Sequence, residues 1–225
     1  MIRSVVYAAA SVGLLAATAL TISSLLSPSW VTYTTHPPSG ATAAAVTDAI
    51  GLYQRCTTTL STAGTRTVVC TRFPEPSRCG VGGSKGDDEV FGIVGDNDLP
   101  GPSFCSMWQT AGFLVGLAVL ADVVTMAVIG LVMAGGKQRR INGWKVVCSV
   151  LVIGAGVQLG GLAVVAYLFD HDDLFLVPGY ELGMAFYLSA GSVVAAMLAA
   201  AGLAISAIVL PREDGYEMLV ERSGV

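Results

Sequence analysis

Four apolar runs, each long enough to cross a bilayer, constrain this chain more than any other feature. They cover 5–26, 108–134, 144–169 and 182–210. About 20 apolar residues in a helix cross about 30 Å of hydrocarbon. Strands would leave backbone groups unpaired in lipid, so the runs are expected to be helices. Asp122 is the one ionisable residue deep inside a run, and Lys145 sits only at the start of the third. Composition agrees: 53% of the 225 residues are hydrophobic and 12% charged. A soluble domain carries about 25% charged residues. Disorder and a soluble α/β enzyme are both excluded on that ground. The first run follows Arg3 and resembles a signal peptide, but it is too long for the usual 7–15-residue apolar region, so it is expected to remain as a span.

Orientation follows from the short connections. Residues 135–143 hold Lys137, Arg139 and Arg140, with Lys145 just beyond. Residues 170–181 hold Asp170, Asp172, Asp173 and Glu181 and no Lys or Arg. Basic short loops stay in the cytosol. Both termini, including the polar tail 211–225, are then cytosolic. The long loop 27–107 and the short loop 170–181 are extracellular. Trp30, Trp108 and Trp144 fall at the expected membrane interfaces, where an aromatic ring with one polar atom is favoured.

Four of the five cysteines, Cys56, Cys70, Cys79 and Cys105, lie in the long loop, and Cys148 lies alone in the third run. On the extracytoplasmic side they are expected to form disulfides, with three connectivities open. A metal site would need closer spacing: no CxxC occurs, and the only nearby histidine is His36. Residues 31–35 and 66–70 are β-branched and read as strands, with Gly64 as a turn signal between residues 57–62 and the second of them. A Cys56–Cys70 bridge would staple the segments on either side of that turn into a hairpin, worth roughly 3 kcal/mol. Residues 80–102, rich in Gly, Asp and Pro, read as a variable connecting segment.

Trp30, then Gly51-Leu52-Tyr53, then Cys56 and Cys70 resemble the W…GLW…C…C pattern of the claudin superfamily. The nearest resemblance within it is to the lipoma-HMGIC-fusion-partner-like (LHFPL) tetraspan family, which carries GIY or GLF variants of that motif. Residues 104–116 (FCSMWQTAGFLVG) and 182–187 (LGMAFY) resemble that family's entries into spans two and four. There are departures. The gap between Cys56 and Cys70 is long, Cys79 and Cys105 are an extra pair, no Arg precedes span two, and 170–181 lacks cysteine. The resemblance implies an all-α membrane fold: a left-handed four-helix bundle under a small disulfide-stapled extracellular β-sheet. It also implies that Trp30 and Gly51-Leu52-Tyr53 anchor the sheet at the membrane surface.

Candidate chemistry is sparse. An intramembrane carboxylate is costly, which makes Asp122 a candidate contact for a partner protein or, less well supported, a cation path. The plainer reading is a protonated Asp bonded inside the bundle, to Gln158 or Thr125. The acidic run Asp170-His171-Asp172-Asp173 falls short of a Ca²⁺ loop and reads as a solvated turn. Gly112 with Gly116, Gly156 with Gly160, and Gly191 with Ala195 and Ala199 have the small-residue spacing of close helix contacts. No phosphate loop, HExxH, nucleophile–histidine pair or N-glycosylation sequon is present. No enzyme activity, cofactor or resident metal is expected, and nothing marks a nucleic-acid binder.

The chain ends Ser223-Gly224-Val225, a pattern that PDZ domains take up as an added strand. Residues 216–219 (YEML) have the form of a tyrosine-based sorting signal, and Cys148 is a candidate for palmitoylation. The expectation is a non-enzymatic plasma-membrane tetraspan that serves a receptor or channel as auxiliary or scaffolding subunit. A claudin-like adhesion or barrier protein that binds itself is the alternative. A small ion transporter or pore is the weaker one.

Overall fold

The computed structural model describes residues 2–35, 46–60, 65–74, 102–134, 137–175 and 178–209. Four helices carry the fold. They are α1 (Ile2–Leu26), α2 (Pro102–Ala134), α3 (Lys137–His171) and α4 (Met184–Val209). Each contains a stretch long and apolar enough to cross a membrane: Val5–Leu26, Ser103–Ala134, Gly143–His171 and Met184–Val209. Their outer faces are apolar too. Phe113, Leu131, Ile153, Leu198 and Ile208 are all at least 65% exposed. Water would not tolerate such a sheath, and lipid would. These helices make the chain a multi-pass membrane protein.

The helices pack as a four-sided bundle in which α1 contacts α2 and α4, and α3 contacts the same two. Two helices start earlier than the apolar runs suggested. Helix α2 begins at Pro102 rather than Trp108, with proline at the first helical position, where its missing N–H costs nothing. Helix α3 begins at Lys137 rather than Trp144, so most of the basic connection is helical. Lys, Gln and Arg are good helix formers, and polarity alone does not end a helix.

At one end of the bundle lies a five-stranded antiparallel sheet. Its strands are β1 (Val31–Thr35), β2 (Val46–Ile50), β3 (Gln54–Leu60), β4 (Arg66–Arg72) and β5 (Tyr180–Leu182). Their order is β4-β3-β2-β1-β5. The fifth strand comes from the connection between α3 and α4 and pairs Val31 with Leu182 and Tyr33 with Tyr180. That connection is therefore not a solvated turn throughout: a single helical turn, Asp173–Phe175, leads towards a strand. Both long and short connections contribute to one sheet.

Cys56 and Cys70 face each other in the β3–β4 pairing and are bonded, with their Cα atoms 4.1 Å apart. Cys105 is also in a disulfide. Cys79 lies outside the described residues, as do 80–101, the sorting-signal pattern at 216–219, and Ser223 and Val225.

Candidate functional site: the junction of sheet and bundle

The motif residues meet where the sheet sits on the helices. Trp30 is completely buried, and its indole Nε1 donates to the Ser24 carbonyl at 2.8 Å. Its backbone closes both neighbouring segments: Trp30 N donates to Ile50 O (3.0 Å), and Trp30 O accepts from Gly183 N (2.8 Å). One residue thus ties α1, β2 and the entry to α4. The ring packs edge-on against Phe186 of α4, centroids 6.1 Å apart.

Gly51 and Gly183 are required by close approach. A Cβ at Gly51 would stand 2.7 Å from Pro28 Cα, and one at Gly183 would stand 2.1 Å from the Ser29 carbonyl oxygen. Any side chain there would push the sheet off the helix ends. Leu52 is buried beside them. Tyr53 is half exposed, and its hydroxyl donates to the Gly112 carbonyl of α2 at 3.0 Å. Its ring lies against Gly112, where an added Cβ would be 3.4 Å away. Burial raises the Tyr53 phenol pKa.

That contact changes the reading of the small-residue pairs. Gly112 with Gly116 receives a tyrosine, not a helix. The close α2–α3 approach is made instead by Gly143, where an added Cβ would stand 2.6 Å from the Val132 side chain, by Gly154, against Ala121, and by Gly161, against Val115, the Ala111 carbonyl and Leu114, the last two glycines with added Cβ atoms 3.1–3.4 Å from these neighbours. Gly156 and Gly191 face open space, and Gly160 makes only ordinary contact with Leu114. Seven-residue spacing keeps Gly154 and Gly161 on one helix face.

A cluster of rings fills the junction. Phe104, Trp108 and Phe175 lie within 6.0 Å of one another by centroid, Phe73 joins from the end of β4, Phe169 stacks on Phe175, and Tyr180 meets Phe175 edge-on. Trp30 and Trp108 are thus fully buried and point inward, into protein rather than into a lipid headgroup belt. Trp108 Nε1 has no protein acceptor among the described residues, so packing fixes that ring.

Polar groups lie on the sheet beside this cluster. Tyr180, Tyr33, Asp48 and Thr57 form one row across β5, β1, β2 and β3. The Arg55 guanidinium forks onto the Asp48 carboxylate, with Nε 2.8 Å from Oδ2 and Nη2 on the same oxygen, and Thr57 donates to Oδ1. Burial works against the Arg55 charge, but the bonds and charge of Asp48 outweigh it and raise its pKa. Tyr180 is raised by burial, and Arg55 opposes that shift.

Deeper in the bundle is a separate polar layer. Gln158 of α3 donates through Nε2 towards Thr21 Oγ1 of α1 (3.3 Å) and Ser189 Oγ and Ser192 Oγ of α4 (3.0 and 2.6 Å). Asp122 is 7% exposed and lies by the Thr18 side chain of α1, whose hydroxyl donates to Leu14 O. Gln158 is bonded to α1 and α4, and Thr125 donates to Ala121 O. Helix rotation decided this, and spacing along one helix does not reveal it. Asp122 is turned inward and is not presented on the lipid-facing surface.

The acidic run divides. His171 stacks on Tyr167 and meets Asp170 at 3.4 Å, while Asp172 Oδ1 accepts from Leu174 N and starts the short turn. Among the described residues no group of three His, Cys, Asp or Glu side chains is placed to hold a metal ion. Cys148 is partly buried, with Sγ 3.4 Å from the Ala200 carbonyl.

No family model matches the chain, and no curated protein matches it. Fold and site together define a multi-pass membrane protein with four membrane-length helices and a disulfide-stapled sheet docked on one end.

Proposed function

We propose that this chain is a non-enzymatic plasma-membrane tetraspan that acts as an auxiliary or scaffolding subunit of a receptor or channel. In this reading the sheet is extracellular and both termini are cytosolic. The supporting observation is the docking of the sheet. Strands β1 and β5 are bonded to the helix ends through Trp30, Gly183 and the Ala185 N–H on Ser29 O (3.0 Å). Such a junction holds the sheet at a set angle to the helices, which lets one molecule engage a partner in the membrane and outside it. The Cys56–Cys70 disulfide supports an oxidising compartment for the sheet. The resemblance of Trp30, Gly51-Leu52-Tyr53, Cys56 and Cys70 to the claudin and LHFPL pattern supports the same reading.

The experiment is a pull-down from native membranes in mild detergent, with bound proteins identified by mass spectrometry. A receptor or channel subunit recovered in fixed stoichiometry is the expected result. Recovery of self-oligomers alone would reject the auxiliary role and favour the adhesion reading.

A further inference from the structure

The two edges of the sheet differ in kind. One edge, β5, is three residues long and its chain runs directly into α4. The other edge, β4, is seven residues long, and every residue in it is exposed, Val68 by 52% and Val69 by 58%. Long edge strands are normally shortened, bulged or interrupted by proline, because they offer unpaired backbone groups to any passing strand. Strand β4 has none of these, and charge at Arg66 and Arg72 is its one protection. Its register with β3 is continuous from Gln54–Arg72 to Leu60–Arg66, and the Cys56–Cys70 bond holds it there.

The pairing also shows which backbone groups are open. Phe73 N donates to Tyr53 O, so Tyr53 and Phe73 form a hydrogen-bonded pair. Alternation along an antiparallel ladder makes Gln54–Arg72 and Cys56–Cys70 non-bonded pairs, which agrees with the short 4.1 Å Cα separation. The N–H and C=O groups of Arg66, Val68, Cys70 and Arg72 therefore point away from β3, towards an edge that no strand covers among the described residues. The side chains of these same four residues share one face.

We propose that β4 is a strand-addition site for an extended acidic segment of a partner protein, with carboxylates opposite Arg66 and Arg72 and β-branched residues between them. The free backbone groups supply main-chain bonds, as in other strand-addition complexes. The two exposed arginines set the chemistry. A second copy is disfavoured in the register centred on Val69, where an antiparallel β4–β4 pair sets Arg66 against the other copy's Arg72 at both ends. Like charges directly opposite destabilise a sheet. This site does not depend on which membrane protein the helices serve, so the pull-down and the test below fail separately.

The test uses the full chain in lipid nanodiscs and two blocked synthetic peptides. One is Glu-Thr-Val-Thr-Val-Thr-Glu, and its twin has lysine in place of both glutamates. Peptide anisotropy reads binding, and amide exchange reads the site. The glutamate peptide should bind about tenfold more tightly at low salt. It should slow exchange at Val68 and Cys70 and leave Val69 and Thr71, already bonded to β3, unchanged. The paired charge swap Arg66→Glu with Arg72→Glu, at exposed positions that the fold does not use, should reverse the preference. Equal binding of both peptides, no binding at millimolar concentration, or slow exchange at Val68 before peptide is added would each overturn the proposal. The last result would mean that the chain itself, or a second copy, already covers the edge.

Discussion

The junction of sheet and bundle and the middle of the bundle are both buried, yet they are held by different means. At the junction, backbones touch: Gly51 and Gly183 leave no room for a methyl group, and Trp30 fills the space between them. In the middle, Gln158 reaches oxygens on two other helices, and Asp122 lies by Thr18. The bilayer explains the contrast. Lipid tails are as apolar as leucine, so burying apolar surface between helices gains little, and hydrogen bonds and small residues hold helices together. In the proposed orientation the junction lies where water begins, and there the burial of Trp30, Leu52, Phe104 and Trp108 regains its usual value.

If that contrast holds, substitutions at the junction should cost more than those in the middle. Gly183→Val should have the largest effect. Its first side-chain carbon alone would overlap the Ser29 oxygen, so loss of folded monomer on size exclusion in detergent is expected. Trp30→Ala should follow, at about 3–5 kcal/mol in a reversible denaturation assay, and Trp30→Phe should recover part of it while still lacking the bond to Ser24. Removing the staple with Cys56→Ser and Cys70→Ser together should cost about 3 kcal/mol, and amide exchange should show the loss confined to β3 and β4. Gln158→Leu should cost less, about 2 kcal/mol or under, since a single polar contact inside a membrane bundle averages about 0.6 kcal/mol and reaches about 1.7 at most. A larger loss from Gln158→Leu than from Trp30→Ala would reverse the comparison.

Much of the fold was legible in the sequence because lipid imposes a simple rule. Four apolar stretches of sufficient length have no other use, and all four became helices. Strands β1 and β4 were readable from β-branched residues at 31–35 and 66–70. Strand β5 was not: Tyr180-Glu181-Leu182 carries no local signal and becomes a strand only because Val31–Tyr33 lies beside it. The helix starts were misplaced for the opposite reason, since residues 102–107 and 137–143 are helical without being apolar throughout.

The site was legible in part. Trp30, Gly51, Leu52 and Tyr53 stood out as a motif, and the structure gathers them at one junction. The neighbour of Asp122 depends on how α1 and α2 are rotated, and the occupant of the Gly112 notch is a tyrosine 59 residues away in sequence. Neither relation has a local signature. Gly154 and Gly161, which make the close helix contact, were passed over in favour of the four-residue pair Gly156 and Gly160 that lies beside them.

The central proposition is that the stapled sheet stands on the side of the membrane away from the cytosol. Leu60 is exposed at the far end of β3, and Ser61 and Thr62 follow it. Leu60→Asn therefore creates a glycosylation sequon in a chain that has none. Expressed in a eukaryotic cell, this variant should gain mass that an endoglycosidase removes, and a sequon appended after Val225 should stay unmodified. Modification of the appended sequon, with none at position 60, would place the sheet in the cytosol and contradict the proposed orientation.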